Sequence, residues 1–446
     1  TLPQFFKRAG YLTVGAGKVF HPDLPPNWDL PMSWDTRLYD GEWDEWLYPS
    51  EPKCPAMTSW CSINSNKTKD FIDTQTTERA DALLENSTLK QQPLFLAVGF
   101  RKPHLLWRFP QRIVDKFFDV LGDDDASNIT ISPNQFLPEN APDVAFHVPF
   151  DELKDFADVQ ACGGIEQMSP TTAFPKSCQQ KWRRAYYASV AFVDEQIGDL
   201  MEMVDQKRQD VTRCTVILGD HGWHLGDAAE WEKFTNFENG VRVPLVVRHP
   251  SLASSSSRLR DDLVELVDLF PTIVGLVPEL DISYVNDTES APLDGRDLFA
   301  NFTGAGEPPQ YARSQFPRCV GAEEYNVNHT VNTSLPLWDR NDCNDVTSSL
   351  FTHMGYSLRD LEFRFTAWFE WDGATLKPAD PDAPIALELY DHRGDDGTCE
   401  APSAFDGPFE ATNLAFEPDF SATVARFLDA LPDAFPRTLG VLSAGS

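Results

Sequence analysis

The chain has 446 residues, enough for one large domain and a smaller one, and 41% of them are apolar, which can furnish a sizeable core. Its formal net charge of −32 argues against nucleic acid and acidic membrane surfaces as partners, because like charges repel, and it fits a saline or acidic working environment. No apolar run is long enough to predict a membrane span.

The chain opens at Thr1 directly in an expected helix, Leu2 to Arg8, closed by Gly10, and such a start implies that an earlier segment, any signal peptide included, is missing. Tyr11 to Val14 reads as a short strand running into Gly15-Ala16-Gly17-Lys18-Val19-Phe20-His21-Pro22. A glycine pair beside a lysine suggests a phosphate loop, but Leu12 and Val19 stand where that pattern needs Gly and Ser or Thr. Lys18 and His21 remain as polar groups at a strand end. From His21 to Asn66 the chain is rich in Pro, Trp and Asp without a steady period, a long loop expected to wall a pocket. Thr76 to Leu84 reads as helix.

Pro93 to Phe100 is an unbroken apolar strand ending in Arg101-Lys102-Pro103-His104, with Lys102 expected to face solvent. Asp119 to Gln180 is irregular and acidic. Lys181 to Gln206 is the clearest helix, and Tyr186, Val190, Val193, Ile197, Leu200 and Val204 form one apolar stripe expected to pack on the sheet. Thr215 to Leu218 reads as a strand of a parallel sheet buried on both faces. It ends in Gly219-Asp220-His221-Gly222.

Ligands of open α/β sheets bind beyond the carboxyl ends of the strands, so a third strand delivering a polar tip to one rim is informative. Flanking glycines let Asp220 and His221 converge as half of a metal site, and Lys233, after Trp231, supplies a cation for an anion bridging to that metal. The plain reading is a turn and a solvated lysine. Further on, Arg242 to Val247 reads as strand and Asp262 to Leu276 as helix. Met354 to Arg359 with Phe363 to Phe369 reads as a strand pair, and Ser421 to Leu431 as a helix over a small antiparallel subdomain. The acidic, Gly-rich stretch between Asp391 and Asn413, with Cys399, is unassigned.

Of eight cysteines, 54 with 61, 162 with 178 and 319 with 343 lie close in loop-like stretches and suit local disulfides, while Cys214 is expected as a buried thiol. Glycosylation acceptors occur at Asn66, Asn86, Asn128, Asn286, Asn301, Asn328 and Asn332. Together they point to the secretory pathway, ending outside the cell or in a lysosome-like compartment.

The string DHGWxLG followed by W-x-K, with GKVFHP, K-P-H, VxLxDLxPT and ELYD elsewhere, resembles the sulfatase family and within it the iduronate-2-sulfatase branch. The resemblance implies an alkaline-phosphatase-like α/β fold: a mostly parallel central sheet flanked by helices over residues 1–318, and a C-terminal antiparallel subdomain over 319–446. It implies a sulfuric ester hydrolase cleaving a sulfated sugar or glycosaminoglycan-like substrate. Asp220 and His221 would bind Ca2+, Lys18 and Lys233 the sulfate, His21 would act in proton transfer, and His104 would hydrogen-bond the sulfate or leaving oxygen.

Two departures stand out. The family nucleophile, formylglycine made from the cysteine of a C-x-P-x-R string, has no counterpart, since none of the eight cysteines lies in such a string, and it is expected upstream of Thr1. Asp227-Ala228-Ala229 replaces the branch's Glu-His-Gly, which puts the sugar specificity in question. The alternatives are a phosphatase or phosphonate hydrolase of the same superfamily and a non-catalytic sulfated-glycan-binding protein.

Overall fold

The computed structural model describes residues 1–20, 25–35, 54, 57–64, 71–85, 92–117, 126–147, 152–165, 168–209, 211–252, 259–277, 280, 293–302, 306–319, 343, 347–395 and 409–439. His21, most of the loop to Asn66 and most of the 391–413 stretch lie outside them.

The chain begins with α1 (Leu2–Arg8), where the Thr1 hydroxyl accepts from the Gln4 amide and closes a capping box. β1 (Leu12–Gly17) follows, then β2 (Trp60–Ile63), α2 (Ile72–Glu85), β3 (Leu94–Gly99) and β4 (Trp107–Pro110). β1 pairs parallel with β3, Leu12 opposite Leu94 through Gly17 opposite Gly99, and β2 pairs parallel with β4. Next come α3 (Gln111–Phe117), the short α4 (Ala157–Ala161), which interrupts a stretch expected to be irregular, and the long α5 (Lys176–Lys207).

The expected stripe of α5 is not its buried face. Trp182, Ala185, Ala188, Ser189, Phe192, Val193 and Gln196 are buried, and only Val193 belongs to the stripe. Small Ala and Ser side chains let the helix lie close to its neighbours, and the aromatics Trp182 and Phe192 fill the core with Phe71, Trp107 and Trp231. Tyr186 instead lines a large cleft, and Val190 is exposed.

β5 (Thr215–Leu218) is a strand as expected, but among the described residues it pairs antiparallel with β8 (Leu245–Arg248). Neither of its faces is buried: Leu218 is 42% exposed, as is Val246 of β8 at 54%, because this ribbon borders the cleft. Between them lie β6 (His224–Leu225), β7 (Trp231–Glu232) and α6 (Glu238–Val241). α7 (Leu269–Gly275) begins seven residues later than the expected helix, after a 3-10 turn over Leu266–Asp268. It packs on α1 through Val274, Phe5 and Phe6.

After α8 (Phe299–Phe302), the strands β9 (Ala312–Arg318), β10 (His353–Arg359), β11 (Phe363–Asp372), β12 (Lys377–Pro378) and β13 (Ala386–Asp391) build an antiparallel sheet. Its first strand precedes residue 319. α9 (Ser421–Ala434) covers it, with Phe427 stacked on Phe365 at 5.3 Å. The three expected disulfides, Cys54–Cys61, Cys162–Cys178 and Cys319–Cys343, are formed, and Cys214 is free with its thiol pushed up to about 11 by burial. Among the acceptor asparagines within the described residues, Asn128 is exposed, but Asn301 is buried and its amide donates to the Glu307 carbonyl at 2.6 Å. An engaged, buried amide cannot carry a glycan in this fold.

Candidate active site

Two strand ends meet first. Gly17 and Gly99 face each other at the ends of β1 and β3, and the Lys18 amide donates to the Gly99 carbonyl at 2.7 Å. A Cβ on Gly17 would stand 2.0 Å from the Gly99 oxygen, and one on Gly99 would stand 1.9 Å from the Lys18 oxygen, so only glycine permits this approach. The crossing fixes Lys18 at the rim. Burial pushes its ammonium pKa down, and the nearby cations Arg101 and Lys233 add to this, against Asp220 and Glu152.

Beyond β3 the chain bends into His104, whose Nδ1 donates to the Leu105 carbonyl at 2.8 Å, because a carbonyl can only accept. In the neutral ring Nε2 then carries the lone pair. Lys233 Nζ lies 3.3 Å from that Nε2 and 2.6 Å from Glu152 Oε1, while Glu152 Oε2 lies 3.2 Å from Nε2. Burial lowers the His104 pKa and outweighs Glu152. The Glu152 carboxyl is held at about 2, as His104 and Lys233 overcome its own burial. Trp223 closes one side, its ring 5.9 Å from His104 and 5.8 Å from the ammonium of Lys233.

Lys233 is held from behind by Arg318 of β9, fully buried, which donates to the carbonyls of Phe234 (3.0 Å), Val144 (3.0 Å) and Ala145 (2.8 Å). The antiparallel sheet thus fixes a loop of the other half of the molecule. Glu152 had no signal in the sequence: it sits in an acidic, aperiodic stretch. Lys102, expected in solvent, is buried. His21 lies outside the described residues.

At the end of β5, Gly222 packs on α6 so closely that a Cβ would meet the Asn239 oxygen at 2.1 Å. His221 Nδ1 lies 2.8 Å from the Gly222 carbonyl and so carries its hydrogen, leaving Nε2 as a lone pair 3.7 Å from Asp220 Oδ2. Two acceptors facing each other with no hydrogen between them are a geometry that a cation satisfies. The pair also sits within the electrostatic reach of Lys18, Lys233 and Glu152.

A second cluster, Glu238, His392 and Glu410, brings ligand atoms within 4.8 Å of one another. Its carboxylates are already engaged by Arg364 and Arg359, so a metal ion there would have to displace a guanidinium. The cleft beside Asp220, His221 and Lys233 is lined, among the described residues, by nine Arg and Lys against seven Asp and Glu. On a chain of net charge −32, the concave surface has the opposite sign from the whole, which removes the conflict between an acidic protein and an anionic ligand.

The sulfatase family profile matches residues 1–279, more than half of the chain. The chain belongs to the sulfatase family. This sulfatase is 30% identical over 418 residues to iduronate 2-sulfatase of Mus musculus, covering 83% of the chain and 70% of that protein, and 30% identical over 416 residues to the Homo sapiens enzyme (82% and 70%). In structure it is similar to a phosphonate monoester hydrolase from Silicibacter pomeroyi, with TM-score 0.63, 18% identity, and coverage of 100% of this chain and 82% of that one. It is also similar to a 2-O GAG sulfatase, with TM-score 0.54, 17% identity, and coverage of 98% and 74%. These two likenesses bear out the alkaline-phosphatase-like fold expected from the sequence. Family membership makes sulfuric ester hydrolysis the chemistry of this sulfatase.

Proposed function

We propose that this sulfatase acts on a sulfated sugar, with Lys18, His104 and Lys233 seating the sulfate group. The observation that carries the reading is the convergence of Lys233 Nζ and His104 Nε2, 3.3 Å apart and delivered by segments 129 residues apart, with Lys18 in electrostatic contact. Ammonium groups aimed at one spot stabilise the non-bridging oxygens of an ester, most strongly as charge grows in the transition state, and His104 adds a donor there once Nε2 takes a proton.

His104 has a further part. Its Nδ1 hydrogen is committed to Leu105, so a proton taken or given passes through Nε2, the nitrogen that faces Lys233 and Glu152. His21 is assigned to proton transfer by resemblance alone. Asp220 and His221 fit a divalent ion with oxygen and nitrogen ligands and are proposed to hold Ca2+, which, when bound, polarises the ester oxygens. The sugar is argued from the relatives' names and from the cationic cleft. Three disulfides support an oxidising, secretory location, outside the cell or lysosome-like. A division of the chain is proposed just before β9, because that strand, which ends at Arg318, belongs to the antiparallel sheet.

A second reading, binding of sulfated glycans without turnover, has one observation in its favour: no cysteine of this chain lies in a C-x-P-x-R string. Calorimetric titration of a sulfated disaccharide with Ca2+ present, coupled to an assay for free sulfate, tests both. Binding lost in Lys233→Met and in Asp220→Ala supports the seat, and release of sulfate separates the enzyme from the binder. Binding indifferent to both substitutions sinks the proposal.

A further inference from the structure

The least expected group in the site is a carboxylate. Glu152 spans the two groups assigned to the ester, Oε1 accepting from Lys233 at 2.6 Å and Oε2 beside His104 Nε2 at 3.2 Å, so it stands where the ester oxygens must go. Oε2 is buried and accepts no hydrogen bond, as befits a lone pair facing a lone pair. An anion entering the seat must turn this side chain aside.

It cannot go far. The next residue, Leu153, is fully buried in the aromatic core with Phe71, Trp107 and Trp182, and the Phe156 amide caps the Leu153 carbonyl at 3.3 Å. The backbone is pinned, so only side-chain torsions remain, and the charge stays within a few ångströms of whatever binds. We propose that Glu152 determines which oxyanion the site accepts, favouring a singly charged sulfate ester over a doubly charged phosphate monoester. This rests on the reading of Lys18, His104 and Lys233 as an anion seat.

The argument is one of charge count. Lys18, Lys233 and Arg101 bring three positive charges, Asp220 and Glu152 remove two, and His104 brings none while it is neutral. A divalent ion at Asp220 and His221 would add to the attraction for either ester, but Glu152 is the charge that stands where the ester oxygens must go, and it repels a doubly charged group more than a singly charged one. A phosphate monoester, with its second pKa near about 6, carries almost two negative charges at neutral pH, and each added charge meets the carboxylate in a half-dry site where screening is weak. The Lys233 ammonium, 2.6 Å from Oε1, favours the ionised form, so the carboxylate acts as a fixed charge across the physiological range.

The test is titration calorimetry at neutral pH with 4-nitrophenyl sulfate and 4-nitrophenyl phosphate on the whole protein and on Glu152→Gln, Glu152→Asp and Lys233→Met. Glu152→Gln is expected to tighten both ligands and the phosphate more, moving the ratio of affinities about tenfold toward phosphate. Glu152→Asp, which keeps the charge, is expected to keep the original ratio. A Glu152→Gln protein that melts normally and leaves the ratio unmoved, or weakens both ligands, overturns the inference. If Lys233→Met also leaves both affinities unchanged, the anion seat itself is wrong; if it weakens them, only the role of Glu152 falls.

Discussion

Two of the buried charge clusters among the described residues are built differently. The one at Glu238 is closed: its carboxylate meets Arg364, Arg359 at 3.3 Å and Arg242 at 3.2 Å, while His392 reaches Asp395 at 2.9 Å and Glu410 at 3.3 Å. Every charge there has a protein partner of opposite sign. The cluster at Lys233 is open: Lys233 meets Glu152, Lys18 lies in the fields of Asp220 and Glu152 against Arg101 and Lys233, and His104 offers a lone pair. A closed network joins α6 to the antiparallel sheet, whereas the proposed seat leaves positive charge in excess for an anion from outside. On that proposal, charge balance more than burial separates structural from functional polarity.

The largest expected effect breaks the closed cluster. Arg364 is almost wholly buried and pairs Glu238 with Glu410 at 3.1 Å. Arg364→Ala leaves two carboxylates buried and short of a partner, and is expected to cost about 3–5 kcal/mol in urea denaturation. A loss below about 1 kcal/mol would show that the network contributes little to the fold. The matching change in the open cluster, Lys233→Met, is expected to act on binding: sulfated-ligand affinity drops about tenfold to a hundredfold, with a smaller change in stability. If stability falls as much as for Arg364→Ala, the two clusters are of one kind.

The contrast extends to pH, with opposite signs. Two carboxylates hold the His392 pKa above its ordinary value despite burial, so its stabilisation is present below the unfolded pKa, about 6.5, and is lost as pH rises through the raised value. His104 is lowered, so it destabilises as pH falls from about 6.5 toward its folded value. Lys233, and His104 once it is charged, hold the Glu152 carboxyl at about 2, so its stabilisation is present above the ordinary 4.5 and is lost as pH falls toward 2. In denaturation curves across pH, His392→Asn should flatten the alkaline fall and His104→Asn the acid fall. An exchange of these assignments would refute the comparison.

The same contrast explains what the sequence disclosed. Lys18, His104, Asp220 and His221 could be proposed from the sequence because they lie just past apolar strands and carry family strings, and Lys233 from its W-x-K string alone. The hairpin of β10 and β11 was legible from alternation, and the disulfides from spacing. Glu152, Arg318 and the Glu238 network were not, since a buried ion pair is a tertiary event with no period of its own. The α5 stripe misled because helical periodicity shows that one face is apolar, and not that this face meets a sheet: Tyr186 meets the cleft. The antiparallel pairing of β5 was hidden likewise, as an apolar run of four residues fits either direction.

The smallest expected effect concerns the segment that carries Lys233 to its place. Ala228 and Ala229 both lie in the left-handed region, φ 56° and 63°, where a Cβ is unwelcome. Left-handed backbone costs an L-residue roughly 1–2 kcal/mol, which Ala228→Gly would relieve. Against this, the Ala228 methyl is buried with Val144, Phe237 and Trp368, worth about 0.8 kcal/mol, and glycine loses about 0.5–1 kcal/mol more conformational freedom on folding. The contributions nearly cancel, so Ala228→Gly is expected to shift stability by less than about 1 kcal/mol and to leave sulfate binding unchanged. Val in its place adds a branched Cβ to the same torsions and should destabilise clearly more than Gly. Equal effects of Gly and Val would mean that the loop relaxes out of the left-handed region, and that Lys233 is positioned by the Arg318 contacts alone.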